Sequence, residues 1–243
     1  MKPPVLIIGA HRSGTSATAH ALELVGLQIG QRLDSHREPK AMQQLQEDYL
    51  RHVGASWHDP APFLEGMKTS EGLRDCTKYL RSNVAAHFGK IFGYRNNPQG
   101  WWRRLRLKFG AAWGWKEPRT TLFAPAWLEI FPDARVVHVA RDPLAAAESI
   151  RERELKFQAA GDPPTQNLPD LNYCRQLVEM YLRAAEKLAG LQKYKRIQFE
   201  ELQSNPPAML EQLAIFCDLH PSTRQLATAA ASIRPARVRS SSV

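Results

Sequence analysis

Val5-Leu6-Ile7-Ile8-Gly9-Ala10-His11-Arg12-Ser13-Gly14-Thr15-Ser16 is the stretch on which the reading of this chain turns. Four apolar, mostly β-branched residues run into a loop of small residues. Ala17, Ala19, Ala21, Leu22, Leu24 and Val25 then continue in a helical pattern. Strand, tight loop and helix make up the plan of a phosphate-binding loop, in which backbone N–H groups and a helix N-terminus face an anion. Gly9 and Gly14 stand at the G-x4-G spacing of a Walker A loop, which continues with Lys and then Ser or Thr. Here Thr15 takes the place of the lysine and Ser16 follows. The cradle is kept, the lysine that reaches the β- and γ-phosphates is gone, and a basic residue, Arg12, lies inside the loop instead.

Outward from this unit, strands and helices alternate. A helix is predicted over about 15–26, closed by Gly26 and Gly30, and another from Pro39 to about His52. Residues 54–62 read as a loop, and 69–88 as a helix on the spacing Leu73, Cys76, Leu80, Val84. Ala111–Trp115 is a short strand delivering Lys116-Glu117-Pro118-Arg119, followed by a helix at about 120–130. Val136–Ala140 is a strand, after which Asp142 and Pro143 open a helix as N-cap and first residue. A loop at 161–169, a helix at 171–189, a strand at 196–199 and a helix at 206–217 complete the pattern, and the tail from Ile233 is expected to be loose. Such alternation predicts one domain over 1–243, a three-layer α/β/α fold with a mostly parallel sheet. Ligands then belong at the carboxyl ends of the strands, where Arg12, Lys116 and Arg141 fall.

The bulk numbers narrow the class. Hydrophobic residues make up 43% and charged residues 23%, as in a globular protein, and no apolar run is long enough to span a bilayer. Cys76, Cys174 and Cys217 are scattered and offer neither a disulfide framework nor a zinc spacing, which points to the reducing cytoplasm. A net charge of +9 calls for an anionic partner. No nucleic-acid-binding motif accompanies it, and a bisphosphate nucleotide accounts for part of the excess. In Trp101–Phe109 aromatic or apolar residues alternate with basic ones. They lie either as a peripheral helix on an anionic lipid surface, or with Trp102, Leu105 and Phe109 packed on the body and the arginines in water.

Arg12-Ser13-Gly14-Thr15-Ser16 resembles the 5′-phosphosulfate loop of sulfotransferases, enzymes whose donor is 3′-phosphoadenosine 5′-phosphosulfate (PAPS). In that family an Arg at a strand end and a Ser eight residues on hold the donor's 3′-phosphate. Arg141 and Ser149 stand in that order and spacing, and Arg153 lies one turn further along the same face. Lys116-Glu117-Pro118 is similar to the Lys-Asp/Glu-Pro segment of tyrosylprotein sulfotransferases and bacterial relatives. The resemblance implies that Lys116 stabilises charge on the bridging oxygen as the sulfuryl group leaves. Successive strand side chains face opposite ways, so Lys116 and Glu117 are not expected to share the site. Arg196-Ile197-Gln198-Phe199-Glu200-Glu201-Leu202 looks like the Tyr-Glu-Asp-Leu scaffold segment of the bacterial enzymes.

The resemblance therefore implies sulfuryl transfer from PAPS to a hydroxyl or amine of an unidentified small molecule, carbohydrate or peptide, with no metal. The donor site consists of Arg12, Ser13, Gly14, Thr15, Ser16, Arg141, Ser149 and Arg153. Catalysis falls to Arg12, Lys116 and a carboxylate base in the segment after the first helix. Glu38 is the first candidate for that base by position, with His36, Asp34 and Glu117 behind it. The region 31–110 is expected to build the acceptor side. Three other readings share some of these features: a magnesium-dependent P-loop kinase, a nucleotide-binding protein without turnover, and an anionic-surface binder. Absence of Lys at position 15 argues against the first.

Overall fold

Val5–Ile8 (β1) forms the middle strand of a five-stranded parallel sheet in the computed structural model, which describes residues 2–30, 33–34, 36–92 (85–92 as backbone only), 105–165 and 167–235. The other strands are Gln28–Ile29 (β2), Trp113–Lys116 (β3), Arg135–Ala140 (β4) and Tyr194–Gln198 (β5), and the order across the sheet is β2-β3-β1-β4-β5. In the register of the pairs, Ile7 has Lys116 on one side and Val137 on the other. A central parallel strand is covered on both faces, and all four residues of β1 are buried.

Alternation along the strands divides the core between two faces. Leu6, Ile8, Trp113, Trp115 and Val136 pack with Lys40–His52 (α2), Ala61–Gly66 (α3), Ser70–Phe92 (α4), Thr120–Ile130 (α5), Pro143–Ala159 (α6) and Leu171–Glu186 (α7). Val5, Ile7, Ile29, Val137 and Val139 pack with Thr15–Leu24 (α1), Phe199–Ser204 (α8), Pro206–Phe216 (α9) and Thr223–Ser232 (α10). The expected three-layer α/β/α fold with a parallel sheet is thus the observed one. Its topology also makes a cleft. β1 sends its helix α1 into one layer, whereas its neighbours β3 and β4 send α5 and α6 into the other. The loops after these three strands part at the carboxyl edge of the sheet, where α/β folds bind ligands.

Several elements differ from the pattern reading. Ala61–Gly66 is helical, overlapping the end of the loop expected over 54–62 and continuing into residues given no element; Pro60 and Pro62 sit at its first turn, a place that tolerates proline. β2 is two residues long, too short to show a period. α10 lies in a region given no element, although its signal is present: Ser222 and Gln225 form a capping box. The last strand starts at Tyr194, α4 runs on to Phe92 and α7 ends at Glu186. Ile233 is buried in the second core, so the chain is still packed where a loose tail was expected to begin, and residues 236–243 lie outside the described ones. Of Trp101–Phe109 only 105–109 are described. There Leu107 is buried and Phe109 is 78% exposed, so the segment does not pack through Phe109 as expected.

His138 lies inside β4 and belongs to the buried interior. It is fully buried with Nδ1 2.6 Å from the Tyr194 hydroxyl, and burial, followed by the nearby Arg196, lowers its pKa to about 4. Below the ordinary histidine value of 6.5 the unfolded chain takes up a proton that the folded one refuses. Stability present above that pH is therefore lost on acidification toward pH 4, by at most about 3 kcal/mol from this group. His138→Gln is expected to flatten the pH dependence of the melting temperature between pH 4 and 6.5 relative to the parent. An unchanged slope would place the acid sensitivity elsewhere.

Candidate active site

The loop between β1 and α1 is held in a conformation few residues adopt. Gly9, Arg12 and Gly14 have φ of 149°, 66° and 92°. A side chain on Gly9 would strike the Val139 carbonyl at 2.4 Å, and one on Gly14 would strike the Phe199 ring at 2.2 Å. Thr121 ties the start of the loop down: its hydroxyl accepts from Gly9 N–H at 2.9 Å and lies 3.1 Å from Gly9 O. Ser13 turns inward, its hydroxyl donating to Ala10 O at 2.7 Å. α1 begins at the N-cap Gly14 with no side-chain cap and no acidic residue in its first turn, so its leading N–H groups and their partial positive charge face outward.

These N–H groups open on a cleft of about 390 Å³. Arg12, Gly14, Thr15 and Ser16 line it from the loop, His36 and Glu38 from the segment before α2, Lys116 from the end of β3, and Arg141 and Arg153 from β4 and α6. Lys116 Nζ donates to Glu38 Oε1 at 2.8 Å, an ion pair almost wholly out of water. Arg12 Nε donates to Ser149 Oγ at 3.0 Å, and Arg141 Nη1 donates to the Arg12 carbonyl at 2.9 Å. The two predicted strand-end and helix residues therefore converge on the β1–α1 loop. α6 starts as expected, with Asp142 accepting from Ala145 N–H at 2.8 Å and Pro143 in the first turn. Arg153 lies over the Trp57 ring at 5.4 Å.

Charge in the cleft is one-sided. Among the described residues, Arg12, Lys116, Arg141, Arg153 and Arg234 face a single carboxylate, Glu38. Burial and then Arg141 lower the Arg12 pKa, and burial and then Arg12 lower that of Arg153. Cations so crowded favour an anionic guest. Among the described residues no group of His, Cys, Asp or Glu is arranged to hold a metal ion.

Of the four candidates for a base, the structure brings Glu38 and His36 to the cleft. Asp34 is occupied with the turn, its Oδ1 accepting from the N–H groups of His36 and Glu38 at 2.8 Å each. Glu117 points away from Lys116, as strand alternation requires, into a buried polar network. There it pairs with Arg119, which also pairs with Glu47 of α2, while Gln46 Nε2 donates to Glu117 Oε2 at 2.6 Å. Gln46 Oε1 accepts from the Thr120 hydroxyl and from Trp127 Nε1 at 3.1 and 3.3 Å. Burial, against the pull of Arg119, raises the Glu117 pKa to about 7. The network binds α2 to the β3–α5 junction; Glu38 lies two residues before α2 and Lys116 ends β3.

Three cleft residues were missed. Phe199, read as scaffold, packs against Gly14 and lies 6.0 Å from the Arg141 guanidinium. Arg234 lies at the end of α10, its carbonyl accepting from Gln203 Nε2 at 2.9 Å. His11 was passed over inside the loop that was read most closely. Only for His11, by its place in that loop, was there a local signal. A second cleft of about 570 Å³ among α2, α3 and α4 shares no lining residue with the first.

A parallel α/β/α sheet with an uncapped helix N-terminus and clustered cations at its carboxyl edge defines a nucleotide- or phosphate-binding fold of the P-loop type. The model of the sulfotransferase family matches residues 3–222, and the chain belongs to that family. It is accordingly an enzyme of sulfuryl transfer. Its fold is similar to that of sulfotransferase STF9 from Mycobacterium avium, at 17% identity and a TM-score of 0.53, covering 95% of this chain and 67% of that one. Sulfotransferase STF1 from Mycobacterium tuberculosis H37Rv compares at 15% identity and 0.53, over 95% and 71% of the two chains. Mouse sulfotransferase SULT7A1, solved with PAP, compares at 11% and 0.54, over 95% and 63%. No curated protein matches the chain in sequence.

Proposed function

We propose that the chain moves a sulfuryl group from PAPS to a hydroxyl or amine, leaving adenosine 3′,5′-bisphosphate. The supporting observation is the convergence of the phosphate loop, the Lys116–Glu38 pair and Arg141 on one cleft. In this reading the N–H groups of the loop and α1, with Arg12, Thr15 and Ser16, hold the phosphosulfate, and Arg141, Ser149 and Arg153 hold the 3′-phosphate. The acceptor's proton passes to Glu38 as its oxygen or nitrogen bonds to sulfur. The bond from sulfur to the bridging oxygen breaks with its electron pair on that oxygen, beside Lys116. The ion pair links the two events: Glu38 loses its charge on taking the proton, which frees the Lys116 ammonium to stabilise the leaving oxygen. Arg12, Lys116 and the loop N–H groups supply the charge that phosphoryl-transfer enzymes of this fold draw partly from magnesium. We place the protein in the cytoplasm as a single domain. Its free, buried cysteines support this: burial raises the pKa of Cys76 and Cys217 to about 12 and that of Cys174 to about 11. Among the described residues no helix is long and apolar enough to cross a membrane.

Calorimetric titration with adenosine 3′,5′-bisphosphate, beside ATP with magnesium, tests the donor assignment. Arg141→Ala is expected to weaken the bisphosphate by about tenfold to a hundredfold, the loss of a charge-assisted bidentate contact, and Ser149→Ala by less. Preference for ATP with magnesium, or indifference to both substitutions, would overturn it.

A further inference from the structure

The reaction as proposed leaves His11 unused, yet the residue lies between β1 and Arg12 and lines the same cleft as Glu38 and Lys116. It is only 7% exposed. The Trp57 ring lies 4.4 Å away and tilted, and the Tyr181 ring stands edge-on at 5.7 Å. These walls are themselves fixed. Tyr181 donates its hydroxyl hydrogen to Trp57 O at 2.9 Å, Tyr173 does the same to His58 O at 2.7 Å, and Arg153 covers Trp57. Within this box His11 Nε2 is buried and has no hydrogen-bond partner among the described residues. Leaving such an atom unpaired disfavours the folded state. Such an atom calls for a partner that the described residues do not supply, and here it belongs to a residue lining the same cleft as Lys116 and Glu38.

The surroundings also set the state of the ring. Burial first, then Arg119, Arg153, Lys116 and His36, all hold the His11 pKa well below the ordinary range. The permanent charges acting on it are thus positive from the β3–α5 junction, from α6 and from β3, with Glu38 the one carboxylate among the described residues of the cleft. The ring is neutral and carries one N–H. Arg119, the leading charge acting on it, has its own buried Nε–H without a partner among the described residues as well. With the His11 proton on Nε2, two N–H groups lack an oxygen.

We propose that His11 is the residue that holds the acceptor: its neutral imidazole donates from Nε2 to a lone pair of the acceptor's oxygen or nitrogen, whose own hydrogen goes to Glu38. The proposal rests on the sulfuryl-transfer reading and assigns the nucleophile, not the donor, to this side of the cleft. Trp57 and Tyr181 are then its fixing walls, and residues 53–60, which carry Trp57, belong to the acceptor side.

The test compares His11→Phe, which keeps the ring and removes the N–H, with His11→Gln, which restores an N–H at similar reach. Binding of adenosine 3′,5′-bisphosphate is measured by calorimetry. Turnover is measured as release of 4-nitrophenol when the sulfuryl group passes from 4-nitrophenyl sulfate to the bisphosphate. The phenylalanine variant is expected to bind the bisphosphate as the parent does and to lose about tenfold in kcat/KM for the aryl sulfate, with glutamine recovering most of it. Undiminished turnover in His11→Phe, a parallel loss of bisphosphate binding, or no recovery by glutamine overturns the proposal. If the parent binds the bisphosphate but does not use this aryl sulfate, the His11 ring ¹⁵N resonances are followed in that complex as 4-nitrophenol, a primary alcohol and an amine are added in turn. A ring that responds to none of them overturns it as well. A parent that does not bind the bisphosphate at all fails the sulfuryl-transfer reading itself, before any variant is compared.

Discussion

Lys116→Met is expected to lower turnover by about 10²–10³-fold while the bisphosphate still binds, the loss typical of removing one preorganised donor from a developing oxyanion. The lysine is 1% exposed and its ammonium meets only Glu38 among the described hydrogen-bonding and ion-pair partners, so water does not take its place readily. Methionine keeps the length and apolar stem and removes the charge. It also leaves Glu38 buried without its counter-ion, so a folded population is to be verified by melting before rates are compared. Release of adenosine 3′,5′-bisphosphate from PAPS at the parent's rate would sink the role given to Lys116.

The largest effect on stability is expected one turn further on. Arg119→Met strands two carboxylates, Glu117 at 0% exposure and Glu47 at 32%, and should cost about 3–5 kcal/mol, as breaking a buried pair does. Adding Glu117→Gln removes the deeper of the two charges and should return most of that loss. The pH dependence follows from the sign of the Glu117 shift. Its folded pKa, raised to about 7, lies above the ordinary carboxylate value of 4.5, so between these the folded chain keeps a proton that the unfolded one has released. Its contribution therefore falls as pH rises through that window. Without Arg119 the folded pKa moves higher still, and the variant's deficit should be greater at pH 8 than at pH 5. Urea unfolding of the parent and both variants at the two pH values checks this. A deficit that is small and independent of pH would mean that Arg119 is not needed to offset these charges.

Much of the fold was legible because its signals are local. The apolar run Val5–Ile8, the small-residue loop after it and the Asp142-Pro143 helix start each declare themselves within a few residues. The position of Ser149 on α6 follows from helical spacing once Arg141 is placed at the strand end. The parting of Lys116 and Glu117 follows from alternation. What escaped depends on contacts between distant segments. Nothing near His11 announces Trp57 beside it, or Arg119 as its leading charge. The sequence 117–119 shows two opposite charges but not their burial against Gln46 and Glu47. Arg234 reaches the cleft only because α10 packs on α1 and carries the chain back across that layer.

The strand order has a consequence for how the chain comes together in time. β1 is made early, but both of its partners come much later: Val5 pairs with Gly114 and with Arg135. Contacts between residues so far apart form slowly, since a long loop must close before they reward it. During synthesis the most apolar strand therefore waits without a sheet to join, a state prone to association with other chains. The β1–α1 loop, anchored to Thr121 and neighbouring Val139, takes its shape only once those later segments are in place. The shape of this loop thus depends on segments more than a hundred residues away from it in the chain.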